Sequence, residues 1–182
     1  MLEKPSTKDT ILDAAEAVVA REGAGRLTID AVAAESGVSK GGVLYHYPNK
    51  MALLQAMIGR MVDSVRAGIA SAEARAKAQG EPVLPFVIAV LFERLKQDDP
   101  LANAVLAASA AQPELLDAAG AAIGEEFQRL VYAAPDPVLA QILFLSLDGL
   151  KLSQLLGLSH IRNHELDQVE QRMIALAREM YA

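Results

Sequence analysis

Apolar residues recur along this chain at intervals of three and four, and no stretch shows the strict alternation that a half-buried strand requires. Ser6 and Asp9 form a capping pair for a first helix that buries Ile11, Leu12, Ala15, Val18 and Val19 and stops at Gly23. Thr28 caps a short helix carrying Ile29, Val32 and Ala33, which ends at Ser36-Gly37, and Val38 turns into the core. Ser39 caps the next, with Val43 and Tyr47 four apart on its inner side; Pro48 closes it, and Asn49 caps a fourth. That long helix places Leu53, Leu54, Met57, Ile58, Met61 and Val65 on one face and fades into an alanine-rich polar segment before Gly80. Pro82 and Pro85 open a helix ending near Lys96, and Asp99-Pro100 and Pro113 open two more. Asp136-Pro137 starts a long apolar helix that ends at Gly157, and Asn163 caps a last one with Leu166, Val169, Met173, Leu176 and Met180 in a stripe. The pattern predicts an all-α chain of about nine helices. It divides the chain into an N-terminal three-helix head (1–50), whose sequence is that of a candidate DNA-binding domain by the motif described next, and a longer helical segment (51–182), expected to be the ligand-binding and dimerisation domain if the family resemblance given below holds.

Two short helices around a tight turn with a central glycine are the signature of a helix-turn-helix, whose second helix enters the major groove of DNA. On that helix Lys40, Gly41, Leu44, Tyr45 and His46 cover the faces that Val43 and Tyr47 leave free. Lys50, in the first turn of the following helix, adds a positive charge to free backbone amides, a phosphate site. Gly41 and Gly42 weaken the helix by about 1 kcal/mol each relative to alanine, a cost explained if the backbone must approach the groove closely.

The run Ile29 through Lys50, ending Ser-Lys-Gly-Gly-Val-Leu-Tyr-His-Tyr-Pro-Asn-Lys, resembles the DNA-binding region of the TetR family of transcriptional regulators, and the resemblance covers roughly residues 6 to 58. It implies a homodimeric repressor whose C-terminal domain binds a small molecule. Matched to the family motif, Lys40 donates to guanine edges or to phosphate, Tyr45 and His46 are phosphate and groove contacts, and Lys50 and Thr28 are backbone anchors. Arg26, Ser39, Gly41 and Gly42 complete the expected interface. Leu44 departs from the aromatic residue common there in the family, which replaces a hydroxyl contact by an apolar one to a thymine methyl.

Charge narrows the reading. The chain is formally −6. Residues 1 to 50 hold six Lys or Arg against seven acids, and the remainder eleven against sixteen. No domain is strongly basic, so binding rests on where Arg26, Lys40 and Lys50 stand, which argues against indiscriminate attachment to nucleic acid. The 52% hydrophobic content supports a sizeable core. Absence of cysteine removes disulfides and thiolate metal sites. No signal-like start is present, and the longest apolar stretch, Val138 to Leu158, is broken by Gln141, Asp148, Lys151 and Gln154; a cytoplasmic protein without a membrane partner is expected.

The C-terminal sequence offers alternatives. The apolar helix 138–157 and the terminal helix either bury within one domain or form a four-helix dimer interface that spaces two reading heads for a palindromic operator. Met57, Met61, Phe86, Phe92, Leu95, Phe127, Phe144 and Leu145 are candidate contacts for a small, largely apolar effector, or they are core. Asp148 either selects a ligand or pairs with Lys151 three residues on. His160 and His164 have zinc-compatible spacing, but Gly157 and Asn163 point to a helix break, so no metal is expected. No serine has a partnered histidine and acid, and no glycine-rich phosphate loop follows a strand; neither enzymatic activity nor a cofactor is expected. A DNA-binding protein without a ligand, or a helical small-molecule-binding protein, are the alternative functions.

Overall fold

The computed structural model describes residues 6–97, 102, 114–159 and 161–182. The described residues form eight α-helices and one 3₁₀ turn, with no strand among them. These are α1 (Thr7–Glu22), α2 (Ile29–Ser36), α3 (Lys40–His46), α4 (Lys50–Gln79), α5 (Val83–Lys96), α6 (Glu114–Ala133), α7 (Pro137–Leu155) and α8 (Asn163–Glu179). The expected helix starts at Asp99-Pro100 and Pro113 lie outside the described residues, as does His160.

Local chemistry sets the helix ends. Ser6, Thr28, Ser39, Asn49 and Asp136 each accept a hydrogen bond from a backbone N–H three residues on, satisfying an amide that the helix itself leaves free. Gly37 ends α2 at φ 69°, a left-handed conformation that a side chain would strain. The start of α8 differs from expectation. Asn163 is its first residue, and Arg162 holds the cap position, its N–H donating to the Glu165 carboxylate at 2.8 Å. The Glu165 side chain thus reaches back from the first turn to the backbone of the cap residue, one half of a capping box.

The contacts divide the chain into two units, Met1–Val62 with Asp99–Gly120, and Asp63–Asp98 with Ala121–Ala182, so the division falls inside α4. In the first unit α1 packs on α2, and α2 on α3. Ile11, Ala15, Val18, Val19, Leu27, Val32, Val43, Leu53, Leu54 and Met57 are fully buried there, each large side chain contributing about 1.5–3 kcal/mol by leaving water. Arg60 of α4 holds α1 from outside this core, reaching Asp9 (3.4 Å), Asp13 and Glu16 (3.5 Å), three acids that share one face of α1.

In the second unit α5 packs against α7 and α8. Its core joins Ile69 and Ala72 of α4 to Leu84, Ile88 and Phe92 of α5, Phe144 and Leu147 of α7, and Leu166, Met173 and Ala177 of α8. Gly68 lets α5 close on α4, since a Cβ there would stand 3.1 Å from Val90 Cγ1. Lys96 on α5 reaches Asp167 (2.6 Å) and Glu170 on α8, which raises the pKa of its ammonium.

The terminal stripe faces inward. Leu166 and Met173 are core, and Val169, Leu176 and Met180 pack against it, because α8 needs that face to cover α5. The outward apolar surface belongs to α7. This helix is long and apolar enough by composition to cross a membrane, with a mean hydropathy of 1.3, and only 22% of that apolar window is buried. Its inner face, Ala140, Leu143, Phe144 and Leu147, is in the core of the second unit.

Candidate nucleic-acid interface

Thr28 and Ser39, both expected to touch DNA, serve their own helices first. Thr28 Oγ1 accepts from Ala31 N at 3.1 Å and Ser39 Oγ from Gly42 N at 3.1 Å. Each hydroxyl keeps its proton for another acceptor, so capping leaves a donor at the surface of either helix start.

α3 divides as its sequence predicts. Val43 is fully buried and Tyr47 nearly so, while Gly41, Leu44 and Tyr45 are exposed and Gly42 and His46 half-exposed. Tyr45, 84% exposed, meets the His46 ring edge to face at 5.1 Å, which limits the rotamers of two side chains that would otherwise swing freely. Tyr47 anchors the helix end. Its hydroxyl is buried with no hydrogen-bond partner among the described residues, and burial pushes its pKa up.

The paired glycines have different explanations. A Cβ at Gly42 would stand 2.8 Å from Val38 Cγ1 and 3.3 Å from Ser39 Oγ, so the tight turn itself demands glycine there. Packing therefore gives Gly42 a reason of its own, independent of the expected close approach to a groove. At Gly41 nothing lies within 4 Å, and internal packing gives no reason for its lack of a side chain.

The cations are placed, not loose. Lys50 Nζ donates to the Gly25 carbonyl at 3.2 Å, tying the start of α4 to the 3₁₀ turn that contains exposed Arg26. Lys40 Nζ lies 2.8 Å from Asp30 Oδ1 and 3.1 Å from Oδ2. Asp30, in the first turn of α2, was not among the residues singled out from the sequence; its place two residues after the Thr28 cap is the signal that could have found it.

The C-terminal candidates scatter. Met57 and Met61 lie in the first unit, one fully and one half buried. Phe92, Leu95 and Phe144 are core of the second unit, and Phe86 packs against that core with the Arg75 guanidinium 5.7 Å above its ring. Phe127 stacks on Phe144 at 4.8 Å. Leu145 is exposed on α7, where it lines an open groove of about 380 Å³ with Phe127, Gln128, Val131, Tyr132, Pro137, Val138 and Gln141. Asp148 is exposed on α7 and makes no ion pair with Lys151 among the described residues, contrary to the pairing weighed from spacing; partial desolvation raises its pKa. His164 lies exposed at the start of α8, and no cluster able to hold a metal occurs among the described residues.

A capped three-helix head with an exposed, cation-flanked second helix of the turn defines a helix-turn-helix regulatory protein. A family model described as bacterial regulatory proteins, tetR family, matches residues 11–57, and a second, described as tetracyclin repressor-like, C-terminal domain, matches residues 80–178. The chain belongs to the TetR family of transcriptional regulators. It is 34% identical over 58 residues to the HTH-type transcriptional repressor BepR of Brucella suis biovar 1 (strain 1330); that alignment spans 32% of this chain and 28% of the relative. Among solved structures, a TetR-family member from Streptomyces coelicolor A3 superposes with a TM-score of 0.72 at 26% identity, covering 93% of this chain and 98% of the other. The multidrug binding protein EbrR complexed with ethidium gives 0.69 at 26%, covering 94% and 99%. The fold and family expectations from sequence hold.

Proposed function

We propose that the chain is a cytoplasmic, ligand-responsive repressor that binds a palindromic operator as a homodimer and leaves it when a small, largely apolar effector binds the C-terminal domain. The observation that carries this reading is the surface of α3: Leu44, Tyr45 and His46 stand outward with no core duty, between the placed cations Lys40 and Lys50. Lys40 and His46 address base edges, Tyr45 addresses the groove wall, and Lys50, Thr28 and Arg26 address phosphates.

Dimerisation is supported by α7. Val138, Ile142, Leu145, Gly149, Leu152 and Leu156 follow one another at spacings of four and three, and the five large residues among them are all exposed. Such a seam suits a second helix, with Gly149 at its middle allowing close approach. Effector binding is supported by the stacked Phe127–Phe144 pair and by the likeness to the multidrug binding protein EbrR, complexed with imidazole, ethidium and malachite green.

The test is selection of bound duplexes from random-sequence DNA by the full-length protein. An enriched inverted repeat, with two half-sites about one helical turn apart, is the expected result. Recovery of unrelated sequences would overturn the assignment.

A further inference from the structure

The Lys40–Asp30 pair places a carboxylate beside the first residue of the helix proposed to read DNA. Both side chains are open to solvent, 59% and 72% exposed, so burial does not force them together. A carboxylate there is costly to a protein that only needs to hold a polyanion. It cancels the one cation at the N-terminus of α3 and repels phosphate.

We infer that Asp30 is a specificity-determining residue for DNA binding: it holds Lys40 as a reader of a base edge and withholds it from the phosphate backbone. An ammonium has three N–H donors and no acceptor. Engaged with the two Asp30 oxygens, Lys40 keeps at least one donor for a guanine O6 or N7, and the pair stays neutral in the groove. A move of Lys40 to a phosphate would leave Asp30 uncompensated against the DNA. The carboxylate therefore penalises contacts that any sequence offers and spares the one that a particular base offers. Thr28, whose hydroxyl caps α2, fixes the turn that carries Asp30.

The inference rests on the proposed reading of α3 as the recognition helix, and the experiment separates the two. Wild type, D30N, K40A and D30N/K40A are each titrated against a duplex selected from random DNA by the wild type and against a scrambled duplex of equal length, over a range of salt. D30N should gain affinity for the scrambled duplex and steepen its salt dependence by about one unit of log–log slope as Lys40 takes a phosphate. Its selected-to-scrambled ratio should fall roughly tenfold, and the double variant should show no further fall relative to K40A. An equal gain on both duplexes would overturn the inference, reducing Asp30 to simple repulsion, and so would an unchanged D30N. A wild type that does not distinguish the duplexes would instead overturn the reading of α3.

Discussion

Gly41 and Gly42 look alike in sequence, and only their surroundings tell them apart. Gly42→Ala sets the helix gain of about 1 kcal/mol against a clash with Val38 that costs about 1–3 kcal/mol, so a net loss on the order of 1 kcal/mol is expected in chemical denaturation. Gly41→Ala meets open space and should stabilise by about 0.5–1 kcal/mol. The same variant should weaken binding to a selected duplex, because the added methyl stands on the face proposed to meet the groove; undiminished affinity would remove Gly41 from the interface. The outward set of exposed Leu44 and Tyr45 with half-exposed His46 was legible in the sequence because helical spacing from Val43 and Tyr47 leaves them nowhere else to go. Asp30 escaped it because the partner of an acidic side chain is a fact of three dimensions; ten residues of chain separate it from Lys40.

Helix starts were the most legible elements. Ser6, Thr28, Ser39, Asn49 and Asp136 all cap as their side chains dictate, since an N-cap hydrogen bond is local and spans three residues. Ser39 tests what a cap is worth at the site. Ser39→Ala should cost about 1 kcal/mol in denaturation, and Ser39→Asp should restore stability, since aspartate caps as well as serine. Ser39→Asp should nevertheless bind DNA more weakly than wild type at low salt, the carboxylate now facing phosphate. Equal DNA affinity of the two serine replacements would place Ser39 away from the backbone. The facing of whole helices was less legible. The stripe on α8 and the seam on α7 are both apolar at spacings of three and four, and which one meets the core depends on where α5 lies, which periodicity does not encode.

For the whole molecule the question becomes how many copies act together. Ile142 and Leu152 are about half exposed on α7 and contribute little to their own unit. Ile142→Glu with Leu152→Glu should leave the stability of one chain within about 0.5 kcal/mol while converting a dimer to monomer in analytical ultracentrifugation. A dimer that survives both changes at micromolar concentration would place the interface elsewhere. The boundaries of the reading head carry a separate lesson, and it lies with Arg60. That guanidinium is the counterion to Asp9, Asp13 and Glu16, yet it stands beyond residue 50. A head cut there and joined to a foreign sensor would lose the guanidinium that pairs with all three carboxylates. A splice made after Arg60, part-way along α4, keeps those three ion pairs with the head, at the cost of joining two proteins inside a helix.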